Sequence, residues 1–440
     1  MKKIFSFFLL IFPFFAKSQN ITTIAGNGIQ GFLGDGDAAV SAEFYGPNSM
    51  AFDAVGNMYI VDARNDRIRK VNAVGIISEV AGNGTAAFLG DGAAATAAEL
   101  DHPTSIAIDP SGNIYIGCSG DQRIRKINTS GIITTIAGTG AFGYNGDNIP
   151  ATSAELAYPY VGATDHFGNL YLSDYDNHRV RKIDTSGIIT TIAGNGMNSS
   201  SGDGLPATAA SLETPVWLTI SPSGDFYIPD NSANNIRKID ASGIITTIAG
   251  TGPSSYTGDG GLATDATFIS PNSVAVDNSG NVYIADIGAN VIRKINTSGI
   301  ISTVAGNATE GYNGDNILAT AAELNWPNYI AFNAAGNLII ADLNNNRIRE
   351  IKYNTTGVNN TQNPQNNISI YPNPATNTIT LISTTSLPKA EVEISNILGQ
   401  AVFDKVYNSL WQANIDVGGF VSGVYLVRVN GVYSGRFVKE

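Results

Sequence analysis

An acidic and a basic residue, Asp174 and Arg181, stand seven positions apart in the stretch GNLYLSDYDNHRVRKI, residues 168–183. A carboxylate beside a guanidinium can form a strong pair, in a catalytic centre or in a structural turn. Both residues recur at a constant interval of 56 positions, and Cys118 replaces one aspartate. The two sets are Asp62, Asp174, Asp230, Asp286 and Asp342, and Arg69, Arg125, Arg181, Arg237, Arg293 and Arg349. One pair per repeat exceeds what a single catalytic centre can use, so we expect each pair to bond a turn and the Cys118 repeat to lack this interaction.

A second aspartate follows a glycine in every repeat. These residues are Asp35, Asp91, Asp147, Asp203, Asp259 and Asp315. Carboxylates bind hard cations such as Ca²⁺, but calcium ligands cluster within one loop, whereas these are spread one per repeat. We therefore expect them to cap a short helical turn at the alanines that follow, with a Ca²⁺ site as the alternative and no cofactor required. The histidines His102, His166 and His178 lack the spacing of zinc ligands.

Aromatic residues that differ between repeats are the candidates for ligand binding. Such residues surround the proline that begins each repeat: Tyr45, His102, Tyr158, Tyr160, Trp217, Trp326 and Tyr329. They could stack on sugar rings or on peptide side chains, or they could simply fill gaps between loops. No nucleophile elbow, phosphate-binding loop or zinc motif is present, so we assign no catalytic residue, although a lactonase-like or lyase-like centre stays the alternative.

The apolar pattern within a repeat predicts β-strands. In the fifth repeat, SVAVD, NVYIAD, VIRKIN and IISTVAG are short runs rich in β-branched and aromatic residues, separated by turn residues. Four strands per repeat at constant spacing are typical of the blades of a β-propeller. The sixth repeat lacks its fourth strand, and residues 21–26 supply a spare one. The sequence therefore predicts an all-β, six-bladed propeller that is closed by its amino-terminal strand.

These repeats resemble a known family. The segment PNSVAVDNSGNVYIADIGANVIRKINTSGIISTVAG is similar to an NHL repeat, and residues 20–353 resemble an NHL-type six-bladed propeller. The resemblance implies the fold and little about function, because one fold serves many activities.

Residues 1–18 read as a secretory signal peptide, with Lys2 and Lys3 before an apolar run. No later run is long and apolar enough to predict a transmembrane helix. The net charge of −12 argues against a nucleic-acid partner. Cys118 is the only cysteine, so no intramolecular disulfide can form.

The last part of the chain departs from the repeat. Residues 354–367 are polar and read as a flexible linker, and residues 368–440 alternate as about seven short strands, which favours a small β-sandwich. This segment resembles the carboxy-terminal sorting domain of type IX secretion cargo from Bacteroidetes-type bacteria. The matching residues include Tyr371, Pro372, Asn373, Pro374, Gly399, Gly423 and Tyr425. The resemblance implies the type IX secretion machinery as a partner.

The sequence as a whole predicts an exported protein, at the cell surface or secreted. We expect a monomeric propeller that acts as a binding platform for a glycan or peptide, delivered by its sorting domain. The competing class is a propeller hydrolase or lyase with a central metal-assisted site.

Overall fold

The computed structural model describes residues 19–353, 368–371, 375–387, 389–396, 400–430 and 432–439. The predicted signal peptide (1–18) and linker (354–367) lie outside these residues. The chain divides into two compact units, one ending at Tyr353 and the other starting at Asn354. No helix in the described ranges has the length and apolar character needed to cross a membrane.

The first unit consists of six four-stranded antiparallel blades. It begins with strand β1 (Asn20–Ala25), and blades 1 to 3 follow in the chain. Blade 1 contains β2 (Pro47–Phe52), β3 (Met58–Asp62), β4 (Arg67–Val71) and β5 (Ile77–Ala81). Blade 2 contains β6 (Pro103–Ile108), β7 (Ile114–Cys118), β8 (Arg123–Ile127) and β9 (Ile133–Ala137). Blade 3 contains β11 (Pro159–Thr164), β12 (Leu170–Asp174), β13 (Arg179–Ile183) and β14 (Ile188–Ala193), with the short β10 (Ile149–Pro150) beside β14.

Three further blades complete the ring. Blade 4 contains β15 (Thr219–Ile220), β16 (Phe226–Asp230), β17 (Asn235–Ile239) and β18 (Ile245–Ala249). Blade 5 contains β19 (Pro271–Val276), β20 (Val282–Asp286), β21 (Val291–Ile295) and β22 (Ile301–Ala305). Blade 6 contains β24 (Pro327–Phe332), β25 (Leu338–Asp342) and β26 (Arg347–Ile351), with the short β23 (Ile317–Leu318) at its rim.

The amino-terminal strand closes the ring, as predicted. β1 pairs antiparallel with β26, with Ile21 opposite Ile351, and its other edge pairs with β23. Since the first and last described segments of this unit share one sheet, no blade has an unpaired fourth strand.

The core lies between neighbouring blades. In the fourth strands the pattern of ITTIA buries the first isoleucine and the final alanine, and leaves the residues between them partly or fully exposed. Ile21 belongs to a cluster with Ala305 and Ile340, so the closing strand contributes to the contact between blades 5 and 6.

The loops that lead into each first strand contain one 3₁₀ turn each, at the predicted alanine pairs. The turns are Ala39–Ser41, Ala95–Ala97, Ala151–Ser153, Ala207–Ala209, Ala263–Asp265 and Ala319–Ala321. Ala39 and Ala42 are buried, and their carbonyl oxygens accept the N–H groups of Gly26 and Asn27. The predicted aspartate cap is wrong, because the residue before the first of these turns is Ala38 and no side chain caps it.

Four more 3₁₀ turns join second and third strands, at Ala63–Asn65, Tyr175–Asn177, Ile287–Ala289 and Leu343–Asn345. They lie beside the loops that precede the first strands, since the N–H of Arg64 donates to the carbonyl oxygen of Tyr45. We call this side of the propeller the insert face.

The second unit is a small β-sandwich, as predicted. Its strands are β27 (Ile368–Tyr371), β28 (Thr378–Leu387), β29 (Ala390–Asn396), β30 (Ala401–Tyr407), β31 (Leu410–Asp416), β32 (Gly423–Val429) and β33 (Val432–Lys439). They form two sheets, in the orders β27-β28-β31 and β30-β29-β32-β33, around a core that includes Ile379, Val392 and Tyr425. Of the sorting-motif residues, Pro372, Asn373, Pro374 and Gly399 lie outside the described residues.

Candidate functional site

The Asp–Arg pairs hold the insert-face loops in place. In blade 3, Oδ1 of Asp174 accepts the N–H of Ala157 at 2.7 Å, and Oδ2 contacts Nη1 of Arg181 at 3.0 Å. Both side chains are completely buried. Because Ala157 precedes the first strand, the pair ties the second strand to the incoming loop as well as to the third strand. Buried ion pairs of this kind occur in blades 1, 3 and 6, and their recurrence favours a structural role.

The glycine-linked aspartates pair with the same arginines from the other side. The N···O distances are 2.7 Å for Asp35–Arg69, 2.8 Å for Asp91–Arg125, 3.0 Å for Asp147–Arg181, 2.8 Å for Asp203–Arg237, 2.7 Å for Asp259–Arg293 and 3.2 Å for Asp315–Arg349. A carboxylate that a buried guanidinium already neutralises is a poor ligand for Ca²⁺. Within the described ranges no three His, Cys, Asp or Glu residues group so that they could hold a metal ion. The six glycine-linked aspartates therefore do not fit a bound cation such as Ca²⁺.

Blade 2 retains a carboxylate in a different place. Cys118 occupies the aspartate position and is buried. The side chain of Asp121, three residues later, is 8% exposed, and its Oδ2 lies 3.5 Å from Nη1 of Arg123. Burial raises the pKa of Asp121 to about 6, and the charges of Arg123 and Arg125 oppose this rise. Arg125 forms an ion pair with Asp91, and among the described residues no ion pair joins it to Asp121. This blade therefore lacks the interaction that the repeat aspartate makes with its arginine in blades 1, 3 and 6.

A row of aromatic side chains crosses the insert face at blades 3 and 4. Ring centroids are 5.6 Å apart for Phe142–Tyr158, 6.5 Å for Tyr158–Tyr175, 5.7 Å for Tyr175–Tyr160, 4.7 Å for Tyr160–Trp217 and 6.1 Å for Trp217–Tyr329. We call these six residues the aromatic row. Phe142 is 57% exposed and Tyr158 is 41% exposed, whereas Trp217 is buried. The row therefore runs from an open outer end to a buried inner end.

The structure brings together four of the seven aromatic and histidine candidates: Tyr158, Tyr160, Trp217 and Tyr329. No ring contact joins Tyr45, His102 or Trp326 to the row among the described residues. Phe142 and Tyr175 were missed, although the repeat could have revealed them. At the repeat position of Phe142 the other copies have Gln30, Ala86, Asn198, Ser254 and Glu310.

Backbone bonds fix the outer rings. Tyr158 has a positive φ of 48°, and its N–H donates to Oε1 of Gln122 in blade 2 at 2.6 Å. Tyr175 begins the 3₁₀ turn of blade 3, and the N–H of the next residue, Asp176, donates to the carbonyl oxygen of Ala157. The turn and the incoming loop therefore present Tyr158 and Tyr175 side by side.

Blade 4 differs from the others next to this row. Its first strand comprises only Thr219–Ile220, and Trp217 instead forms an isolated parallel bridge with Ser273 of blade 5. Its ring approaches Tyr329 of blade 6, which is not a neighbour of blade 4, so the two rings meet across the centre of the propeller. The indole N–H of Trp217 is buried and finds no hydrogen-bond partner in the described part of the chain. Burial also raises the pKa of Tyr329 to about 12.

Amides occupy the other half of the centre. Nδ2 of Asn272 donates to Oδ1 of Asn328 at 2.7 Å, and Nδ2 of Asn328 donates to Oδ1 of Asn48. This chain links blades 5, 6 and 1 and uses its polar groups internally, which favours a structural role.

One carboxylate lies beside the aromatic row. Burial is the main cause of the raised pKa of Tyr175, and the negative charge of Asp176 is the next. The pKa of Tyr160 is raised by burial, and Asp176 also contributes to that rise. Asp176 itself is exposed. The rings therefore lie in a field of negative charge.

The opposite face contains two cavities of about 550 and 650 Å³, which share Thr164, Asp165 and His166. The carboxylate of Asp165 accepts the backbone and side-chain N–H groups of Asn169 and the hydroxyl of Tyr171. Similar Asp–Asn–Tyr networks recur at Asp53, Asp109 and Asp277. These carboxylates already accept hydrogen bonds within their own turns.

Comparisons with known proteins agree with this architecture. A family model for the secretion system C-terminal sorting domain matches residues 369–439, and a model for the teneurin NHL domain matches residues 83–145 and 250–310. The chain is an NHL-type β-propeller followed by a type IX sorting domain. The sorting domain indicates export to the cell surface or the medium.

Curated relatives include several teneurins. Human teneurin-4 is 32% identical over 302 residues, which cover 60% of this chain and 11% of teneurin-4. Teneurin-1 of Gallus gallus is 28% identical over 388 residues, covering 78% of this chain and 14% of that protein. The chain thus spans only a small part of the length of these relatives.

Solved structures share the NHL propeller fold. A protein of unknown function from Bacteroides thetaiotaomicron is 20% identical with a TM-score of 0.56, and the match covers 76% of each chain. An auxiliary nutrient binding protein from the same organism is 18% identical with a TM-score of 0.55, again with 76% of each chain covered.

Proposed function

We propose that the protein is an exported binding module whose NHL propeller holds an extracellular ligand on the aromatic row. On this proposal a signal peptide in residues 1–18 starts export and the sorting domain completes it. The observation that carries the proposal is the continuity of the row, whose rings come from the insert loop and turn of blade 3, from the first strands of blades 3 and 6, and from the segment before β15.

The repeat itself supports a functional interpretation of the row. Residues that keep the propeller folded recur in most repeats, as the aspartates and arginines of the two sets do, whereas Phe142, Tyr160 and Tyr175 are aromatic in a single repeat. Phe142 and Tyr158 are also large and exposed, and such rings on a rigid scaffold are typical of binding surfaces. A nutrient-binding protein with the same fold is consistent with a binding role.

Binding should depend on the exposed end of the row. We expect Tyr158→Ala and Phe142→Ala to reduce retention on glycan or peptide arrays, because each removes an exposed ring. Each loss should be at least about threefold, the size of one aromatic contact. Both side chains are partly exposed, so melting temperatures should stay close to that of the parent.

Trp326→Ala is the matched control. Trp326 is 48% exposed and occupies the same repeat position as Tyr158, but it lies outside the row. Equal losses for Trp326→Ala and Tyr158→Ala would contradict a site on the row, and retention unaffected by Tyr158→Ala would refute it.

A further inference from the structure

In the outer part of the aromatic row, one tyrosine contacts two others. Tyr158 and Tyr160 each meet Tyr175 edge to face, with interplanar angles of 80° and 67°. Rings that meet edge to face present their faces in different directions. Aromatic faces carry partial negative charge and attract cations.

Cations lie over many rings of the described part of the propeller, but over none of these three. Elsewhere, Arg67 lies over Phe32, Arg179 over Tyr144 and Arg347 over Tyr312, at 3.7 to 3.8 Å from the ring centroids. Lysines lie over Tyr59, Tyr115, Tyr227 and Tyr283. Over Tyr158, Tyr160 and Tyr175 the described residues place no lysine or arginine.

A negatively charged residue follows one of these rings in the chain. Asp176 follows Tyr175 directly, and its backbone N–H bonds the carbonyl oxygen of Ala157, the residue before Tyr158. Burial is the main cause of the raised pKa of Tyr160 and of Tyr175, and the negative charge of Asp176 adds to both. An aromatic group with a carboxylate and no cation of its own suits a ligand that brings a positive charge.

We infer that Tyr158, Tyr160, Tyr175 and Asp176 bind a lysine or arginine side chain of a basic polypeptide segment. This inference rests on the proposed binding role and specifies its ligand. The site is open on one side, through the exposed Tyr158 and Phe142, which suits a side chain presented by an extended segment. The net charge of −12 would also attract a basic partner over longer distances.

The test compares matched peptides on the full-length protein. The probes are three ten-residue Gly-Ser peptides with three lysines, three arginines or three glutamines at the same positions, and Kd is measured by fluorescence anisotropy. We expect the lysine and arginine peptides to bind and the glutamine peptide to bind at least about tenfold more weakly. Binding should weaken as salt rises, and tetramethylammonium chloride should compete more strongly than the same concentration of sodium chloride.

Two variants of equal charge locate the site. Asp176→Asn removes the carboxylate beside the rings, and we expect the Kd for the lysine peptide to rise about three- to tenfold. Asp265→Asn is the control, since Asp265 is exposed in the insert loop before blade 5, away from the row. Both changes are at exposed positions, so folding should be retained. Equal effects of the two variants would show a general charge attraction and overturn the inference.

The outcomes for the two proposals can be separated. If a glycan or neutral peptide binds in a way that Tyr158→Ala abolishes, while the lysine and glutamine probes bind equally, the aromatic row is a binding site but the cationic ligand is wrong. If no array ligand and no probe depends on Tyr158, both proposals fail.

Discussion

At the scale of single residues, the six repeats show that one position can have different energetics in different blades. Asp62 and Asp286 occupy the same repeat position and both are completely buried. Asp62 accepts the N–H of Tyr45 and an amide N–H of Asn65, and it contacts Arg69 at 3.4 Å. Asp286 accepts the N–H of Ile269, and its Oδ2 finds no partner among the described residues. Burial raises the pKa of Asp62 to about 6 and that of Asp286 to about 8.

The raised pKa of Asp286 gives a signed prediction for stability. In the folded state its carboxyl holds a proton up to about pH 8, whereas its ordinary pKa is 3.8. The folded protein therefore binds more protons than the unfolded chain between these values, and this group's stabilising contribution falls as pH rises from about 4 to about 8. The asparagine of Asp286→Asn stays neutral over this pH range, so we expect this variant to lose less stability than the parent as pH rises. Urea unfolding at pH 5 and pH 8 measures it.

Asp62→Asn provides the comparison at the same repeat position. At pH 8 the Asp62 carboxylate is ionised and bonded to three groups, so its loss should cost roughly 1 to 3 kcal/mol. Asp286→Asn should at the same pH be as stable as the parent or more stable. A larger loss for Asp286→Asn than for Asp62→Asn would contradict this account of the two environments.

At the scale of elements, neighbouring blades are joined by a recurring hydrogen bond, which we call the clasp. A side-chain oxygen in one blade accepts the N–H of the residue before the first strand of the next. The donor–acceptor pairs are Gly46–Asn346, His102–Asp66, Tyr158–Gln122, Ser270–Asn234 and Trp326–Asn290. The junction between blades 3 and 4 lacks it, because His178 occupies the acceptor position and contacts the carbonyl oxygen of Glu213 instead. The exceptional junction is the one that the aromatic row crosses.

The clasp should contribute measurably to stability. Asn290→Gly removes the acceptor of the Trp326 N–H, which lies 2.9 Å away, but keeps a residue that tolerates φ of 54°. We expect a loss of about 1 to 2 kcal/mol in the free energy of unfolding, measured by urea denaturation.

Asn148→Gly is the control for this change. Asn148 also has a positive φ, of 61°, but it is exposed. Its replacement should change the free energy of unfolding by less than about 0.5 kcal/mol. A similar loss at both positions would mean that the glycine, and not the missing acceptor, weakens the fold.

The strands and their order could be predicted because they depend on local pattern and on the repeat. The fifth repeat shows this well, since its four predicted strands match β19 to β22. The partner of Asp35 could not be predicted, since Arg69 lies 34 residues away and approaches only when the loop folds back. The contact of Trp217 with Tyr329 could not be predicted from the sequence either. It joins blades that are not neighbours, and it depends on how far the two rings reach across the centre of the propeller.

At the scale of the whole molecule, ring closure depends on a strand with no turn connecting it to its partner. In blade 2, β8 and β9 are joined by a tight turn at Asn128–Gly131, so the pair re-forms easily after local opening. β1 and β26 are separated by more than 320 residues of chain, and the ring is kept closed by side-chain burial, by the ladder between these strands and by the contacts of β1 with β23 and Asp315. Closing so long a loop has a higher entropic cost than closing a hairpin.

Ile21 and Ile133 allow this difference to be measured. They occupy the same repeat position, one in β1 and the other in β9, and both are completely buried. Ile21→Ala and Ile133→Ala remove the same atoms, and each should cost about 2 to 5 kcal/mol in global stability. Only Ile21→Ala should also open the ring locally, and hydrogen exchange should then quicken in β1 and β26 at denaturant concentrations where the other blades stay protected. The control compares β26 in Ile21→Ala with β8 in Ile133→Ala. If exchange quickens equally in the two strands, the closing strand is held as firmly as a strand in a hairpin, and this account of ring closure is wrong.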